Sequence, residues 1–300
     1  MTELTNRATP AQWVAGARPR TLPAAIAPVL AGSGLAFFVG SFRPLAALLA
    51  LVVSLALQVG VNYANDYSDG IRGTDAERIG PLRLVGSGLA TPRTVKRAAF
   101  TSFVVAGLAG LGLVTITRQW WLLAVGVACV LAAWFYTGGR HPYGYRGLGE
   151  VFVFVFFGLV AVGGTAYVQV GRVSVATLLT GVAIGALACA ILVANNLRDI
   201  AGDSRAGKRT LATRLGPHRT RLLYAGLAGL AAVALTGVAA LTSAWALLGL
   251  GGLLLLAPAL RTVLSAGQGP ALIAVLRTTG LAELLSAVGL AAGLVLATIA

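Results

Sequence analysis

The stretch Pro44-Leu-Ala-Ala-Leu-Leu-Ala-Leu-Val-Val-Ser-Leu-Ala-Leu-Gln-Val-Gly-Val-Asn62-Tyr-Ala-Asn65-Asp66-Tyr-Ser-Asp69 carries an apolar run directly into a row of amides and carboxylates. The run from Pro44 to Val61 holds no charged residue. As a helix rising 1.5 Å per residue it reaches about 27 Å, close to the thickness of a bilayer's hydrocarbon core. Lipid offers no partner to exposed backbone N–H and C=O groups, so a crossing segment of this kind is helical. Asn62, Asn65, Asp66 and Asp69 follow at i, i+3, i+4 and i+7, a spacing that places all four along one helix face. A membrane span thus ends in an acidic, amide-rich face on one side of the bilayer.

The rest of the chain has the same character. Of its 300 residues 57% are hydrophobic and only 11% charged, with a mean hydropathy of +0.85; soluble domains carry about 25% charged residues. Apolar runs recur at roughly 22–40, 44–64, 93–117, 119–137, 148–170, 175–197, 220–241, 244–263 and 274–298. They predict an all-α integral membrane protein of nine transmembrane helices, a single membrane-embedded domain over 1–300 with residues 1–20 as an N-terminal segment. That segment has no apolar core, so the first span is expected to act as signal and anchor. Cys129 and Cys189 both fall within apolar runs and are expected to pack rather than to pair or bind metal.

A net charge of +14 raises the question of nucleic acid, but the charge distribution answers it. With the nine runs as spans, only Arg43, Arg118 and Arg172 of the 23 Lys and Arg residues fall on one side, leaving 20 on the other. This is the asymmetry of the positive-inside rule, not of a nucleic-acid surface. It predicts a multi-pass protein of the cell membrane with a cytoplasmic N-terminus and an outward C-terminus.

A second acidic segment reads Asn195-Asn196-Leu-Arg198-Asp199-Ile-Ala-Gly-Asp203-Ser-Arg-Ala-Gly207-Lys208-Arg209-Thr210. Asn196, Asp199 and Asp203 share a face, again at the expected cytoplasmic end of a span. The two segments, about 130 residues apart, hold five of the nine carboxylates, Asp66, Asp69, Asp75, Asp199 and Asp203. Ionisable groups at membrane depth are costly and mark functional sites. Paired acidic helix ends suit Mg²⁺, which takes oxygen ligands and bridges carboxylates to substrate phosphates. Arg72, Arg198, Lys208 and Arg209 can neutralise phosphate charge, and Asn62, Asn65, Asn195 and Asn196 can bind or position the ligand. A third segment, Tyr136-Thr-Gly-Gly-Arg140-His141-Pro-Tyr143-Gly-Tyr145-Arg146-Gly-Leu-Gly-Glu150, interleaves glycines with aromatic and cationic side chains, which lets a loop approach a ligand closely. No nucleophile–His–acid pattern and no Cys/His metal spacing appears.

At these residues the sequence resembles the UbiA superfamily of intramembrane prenyltransferases. Asn65-Asp66-Tyr-Ser-Asp69 is similar to the family's first Asp-rich motif, and Asn195-Asn196-Leu-Arg198-Asp199 with Asp203 to its second. The loop 136–154, the opening Trp13-x-x-x-x-Arg18-Pro19-Arg20-Thr21-Leu22 and Gly207-Lys208-Arg209-Thr210-Leu-Ala resemble the branch that prenylates 1,4-dihydroxy-2-naphthoate in menaquinone synthesis. Two departures stand out: Gly73 occupies a position where many relatives have Asp, with Asp75 two residues on, and Arg140 stands where relatives often have Lys.

The resemblance implies a Mg²⁺-dependent aromatic prenyltransferase. Two ions held by Asp66, Asp69, Asp199 and Asp203, with Asp75 as a further candidate, would bind the diphosphate of a polyprenyl donor. Tyr136 is the candidate for facing the allylic cation. Arg140, Arg146 or Arg18 would hold the acceptor's carboxylate. Another aromatic acceptor, or a transporter built on paired polar helix breaks, is the alternative expectation.

Overall fold

The computed structural model describes residues 8–73 and 82–300, and among them every regular element is helical. The elements are α1 (Pro10–Gly16), α2 (Pro23–Phe38), α3 (Pro44–Ile71), α4 (Pro92–Thr117) and α5 (Leu122–Phe135). They continue with α6 (Gly149–Val170), α7 (Val175–Arg205), α8 (Leu211–Leu241), α9 (Ala244–Leu264) and α10 (Pro270–Leu296). Helices that follow one another in sequence pack as hairpins, notably α3 with α4, α7 with α8 and α9 with α10. The last helix returns against α2 and closes the bundle.

Among the described residues, seven helices are long and apolar enough to cross a membrane: α3, α4 and α6 to α10. The segment Pro10–Thr21 and α2, bent by 50° relative to each other, make an eighth when taken together. The run expected at 119–137 forms only the 14 residues of α5, about 21 Å of apolar helix against a hydrocarbon core of about 30 Å. Its start is set by Arg118 in the left-handed region at φ 58° and its end by the Gly138-Gly139 turn.

Two differences from the predicted spans matter for the site. The apolar run of α3 ends near residue 61, yet the helix continues to Ile71; α7 likewise runs on to Arg205 rather than stopping near 197. Asp66 and Asp69, and Asp199 and Asp203, therefore lie on helical extensions of these spans, as their spacing on one helix face predicts. Small residues bring the helices close, as membrane helix packing requires. A Cβ on Gly158 would sit 2.4 Å from the Gly181 carbonyl oxygen and 2.6 Å from Gly185 Cα. This contact between α6 and α7 coincides with a π-helical stretch, Phe154–Val160, within α6. The core is built largely from Ala, Leu and Val, including Ala183, Leu235, Val238, Leu290 and Leu294, with Ile184 among them. The outer faces of α4, α8 and α9 expose Leu108, Val233 and Leu254, the surface a lipid environment covers.

Candidate active site

A cavity of about 910 Å³ opens between the C-terminal ends of α3 and α7 and runs down between α4, α5 and α6. Its polar end is formed by Asn62, Asn65 and Asp69 from α3, and by Asn195, Asn196, Arg198 and Asp203 from α7. Arg18, Arg83, Tyr145 and Lys208 join them from the flanking segments. The two acidic helix ends thus face one space, and α3 buries Asn62, Asn65, Asp66 and Asp69 together, as their spacing predicts.

Asp69 is the centre of this end. It is 2% exposed, accepts a hydrogen bond from the Tyr145 phenol, and lies 3.4 Å from Lys208 Nζ and 3.5 Å from Arg83 Nη2. Lys208 Nζ also sits 4.6 Å from the centre of the Tyr145 ring. A buried carboxylate facing two cations and a phenol sits in a low-dielectric setting where its charge acts strongly. Across the cavity Asp203 is buried at the end of α7, and its carbonyl oxygen accepts the Lys208 backbone N–H at 2.8 Å. That bond turns the chain so that Lys208 comes back over Asp69.

The other predicted residues divide by role. Asp66 is not on the cavity wall: its Oδ2 and Oδ1 accept the backbone N–H groups of Leu84 and Val85 at 2.7 and 3.0 Å. Each Asp66 oxygen accepts one amide and keeps a further lone pair, so these bonds orient the carboxylate without using it up. Asp199 is held by its neighbour Arg198, whose Nε and Nη2 donate to it at 2.7 and 2.9 Å while Nη2 also donates to Asn195 Oδ1. Arg198 is thus committed to a carboxylate in this arrangement, although it lines the cavity.

Arg72, expected to meet phosphate, instead donates to the carbonyls of Thr137 and Gly139 and braces the loop after α5. Arg140, Arg146 and Arg209 are exposed and off the cavity wall, as are His141 and His218. In the loop after α5 the aromatic residues Tyr136, Tyr143 and Tyr145 line the cavity, whereas Arg140 and Arg146 face outward. Asp75 lies outside the described residues. Among those described, no three His, Cys, Asp or Glu side chains converge into a ready-made metal cluster.

The amides hold the framework. Asn62 Nδ2 donates to the Ala17 carbonyl at 2.8 Å and to Thr21 Oγ1 at 2.9 Å, fixing the break between α1 and α2, where Arg18 adopts φ 55°. Asn65 Oδ1 accepts the Thr137 hydroxyl at 2.8 Å. Beyond the polar end the wall becomes aromatic. Tyr136 meets Tyr143 edge-on at 5.5 Å, Tyr143 stacks on Phe152 at 3.9 Å, and Phe152 stacks on Phe156 at 6.0 Å. Gly144 permits this, because a Cβ there would lie 2.7 Å from the Tyr136 carbonyl oxygen and 3.1 Å from its ring. Burial pushes the Tyr143 phenol up, so it stays neutral and donates to the Ala132 carbonyl at 2.7 Å. Past these rings the lining is aliphatic: Val125, Val130, Val160, Leu192 and their neighbours.

Sequence reasoning missed Arg83, Thr137 and Tyr145 as site residues. Tyr145 stood within the quoted loop, where alternation of aromatic and cationic residues was the available signal. Nothing local marks Arg83.

An apolar helical bundle with paired acidic helix ends over one amphipathic cavity has the make-up of an integral membrane enzyme. The sequence model of the UbiA prenyltransferase family matches residues 25–273, and the chain belongs to that family. It is 57% identical over 284 residues to a Mycobacterium tuberculosis protein named 1,4-dihydroxy-2-naphthoate octaprenyltransferase, covering 95% of this chain and 97% of the relative. The Escherichia coli protein of the same name is 42% identical over 241 residues, 78% of each chain. A solved UbiA homologue from Archaeoglobus fulgidus, bound to GPP and Mg²⁺, shares the fold with a TM-score of 0.71 at 13% identity, covering 95% of this chain and 99% of that one.

Proposed function

We propose that this protein transfers a polyprenyl group from polyprenyl diphosphate to 1,4-dihydroxy-2-naphthoate, releasing diphosphate and CO₂ and giving demethylmenaquinol. The observation that carries the reading is the cavity's gradient: buried carboxylates and cations at one end, aromatic rings next, aliphatic side chains beyond. A prenyl diphosphate has the same order of polarity along its length. The shared name of relatives at 42–57% identity supports the naphthoate as acceptor.

The donors Asp69, Asp203, Asn65, Asn195 and Asn196 on the polar wall are the hard oxygen type that Mg²⁺ takes, and one or two carboxylates with substrate phosphate complete its usual shell. These residues would hold it, one ion at each acidic helix end, with Asp66 and Asp199 immediately behind. When bound, magnesium neutralises the diphosphate and polarises the allylic C–O bond. Lys208 and Arg83, already drawn to Asp69, meet the remaining phosphate charge. The C–O bond breaks with its electron pair going to diphosphate, a C–C bond forms between the allylic carbon and the naphthoate ring, and the ring's carboxyl leaves as CO₂. The faces of Tyr136, Tyr143 and Phe152 stabilise the allylic cation, and the apolar lining excludes water from it.

Among Arg18, Arg140 and Arg146, Arg18 is the one on the cavity wall, beside Thr21, Gln58 and Asn62. It is our assignment for the acceptor's carboxylate. Losing a hydrogen bond to a charged group costs about 1.5–3 kcal/mol, so Arg18→Gln is expected to raise the acceptor KM by roughly tenfold to a hundredfold. The donor KM should stay within about threefold by the same argument. Initial rates over both substrates check this, and an effect confined to the donor would remove Arg18 from the acceptor site.

The bilayer reading completes the proposal: nine crossings, counting the bent α1–α2 pair and α5, with the polar end of the cavity at the cytoplasmic face of the cell membrane. Single cysteines replacing Arg140 and Arg172 in a background lacking Cys129 and Cys189 test it. In intact cells a membrane-impermeant maleimide should label the Arg172→Cys variant and spare Arg140→Cys; the reverse pattern would invert the topology.

The reaction itself is tested by supplying membranes with donor, Mg²⁺ and a panel of aromatic acceptors. Product is expected with 1,4-dihydroxy-2-naphthoate. Preference for 4-hydroxybenzoate or homogentisate would reassign the acceptor. Uptake of a small solute by proteoliposomes without any prenylated product would favour a transporter.

A further inference from the structure

Glu150 stands in the first turn of α6, immediately after the aromatic loop, and is buried. Its Oε1 accepts a hydrogen bond from Asn196 Nδ2 at 2.9 Å across to α7, while its Oε2 has no hydrogen-bond partner among the described residues. The backbone at this point is tied to α7 as well, because the Glu150 carbonyl accepts the Cys189 thiol at 3.0 Å. Asn196 belongs to the second acidic segment, is itself buried, and lines the cavity beside Asp203. A primary amide carries its donor and its acceptor on opposite branches of one planar carbon. With Nδ2 committed to Glu150, Oδ1 is turned the other way and accepts no hydrogen bond from the described protein. A free amide would sample the flipped state, in which an N–H₂ group replaces the oxygen and opposes a cation.

We infer that Glu150 is a positioning residue that locks the Asn196 amide with its oxygen toward the metal–diphosphate end of the cavity. The inference rests on the prenyltransferase reading for the nature of that ligand, and on the observed hydrogen bond for the lock. Glu150 touches no substrate in this account and acts only through Asn196.

The test uses purified full-length protein in detergent, with Mg²⁺ titrated at fixed inorganic diphosphate and the midpoint of thermal unfolding as readout. Groups that orient metal ligands change metal affinity by about 10–100-fold when removed. Glu150→Leu is therefore expected to raise the Mg²⁺ concentration for half-maximal stabilisation about tenfold or more. Glu150→Gln keeps an acceptor oxygen for Asn196 and should stay within about threefold of the parent. In an Asn196→Ala background, Glu150→Leu should add nothing further.

An equal shift from Glu150→Leu in the presence and absence of the Asn196 side chain would overturn the inference. So would a lower unfolding midpoint with unchanged Mg²⁺ half-saturation. If Glu150→Leu does not fold, Glu150→Asp, whose shorter side chain withdraws the acceptor from Asn196, takes its place: a raised Mg²⁺ half-saturation that vanishes in the Asn196→Ala background is expected, and no shift, or one that persists without the Asn196 side chain, contradicts the lock. Absence of any Mg²⁺–diphosphate stabilisation in the parent protein would overturn the prenyltransferase reading and the inference with it, and is recognised because no variant is involved.

Discussion

Replacing Asp69 by Ala is expected to lower the rate of prenyl transfer by about 10²–10³-fold, the scale on which removal of a single electrostatic group slows a preorganised site. Asp69 is 2% exposed and lies against Lys208, Arg83 and Tyr145. Without it Lys208 and Arg83 lose the buried carboxylate they face, and the carboxylate donor on the α3 wall of the cavity is gone. Asp69→Asn separates these effects. It keeps the shape and an oxygen that can accept from the Tyr145 phenol, but not the charge, and should lose most of the same activity. Initial rates in membranes, normalised to the amount of folded protein, measure both variants. Near-normal turnover by Asp69→Ala would remove the acidic end of α3 from the chemistry.

Asp203→Ala is expected to cost a similar factor, about 10²–10³-fold, from the opposite wall. Asp203 faces the cavity from α7, whereas Asp199, in the same segment, is paired with Arg198. The informative comparison is the double variant. Groups that act as one unit lose little more together than singly, so Asp69→Ala combined with Asp203→Ala should be within about tenfold of either alone. Losses that multiply fully would mean two independent sites instead of one shared by α3 and α7.

Much of this arrangement is legible in the residues themselves. The alternation of apolar runs and basic loops gives the membrane class and the side on which the cations gather. The spacing of Asn62, Asn65, Asp66 and Asp69 gives a shared face, and the helix does carry all four into the interior. Periodicity says nothing, however, about contacts made across long separations. Thr137 reaches Asn65 over 72 positions, Tyr145 reaches Asp69 over 76, and Lys208 reaches Asp69 over 139.

For the same reason a cation in an acidic segment reads as a phosphate ligand, and nothing local shows which protein acceptors it reaches. Arg72 spends its guanidinium on the Thr137 and Gly139 carbonyls, and Arg198 on Asp199. Helix length is the other blind spot. The polar extensions of α3 and α7 are held helical by tertiary packing rather than by an apolar pattern. The run at 119–137 has the hydropathy of a span, yet the turns at its ends leave only the short α5.

The most direct test of the central claim follows the carboxyl carbon. Purified protein in lipid nanodiscs is given polyprenyl diphosphate, Mg²⁺ and 1,4-dihydroxy-2-naphthoate labelled with ¹³C in the carboxyl group, and both the gas phase and the lipid extract are analysed by mass spectrometry. The account predicts one labelled CO₂ released per prenylated ring formed, with the lipid product carrying the prenyl chain and no label. A prenylated product that retains the label, or labelled CO₂ without prenyl transfer, would contradict it.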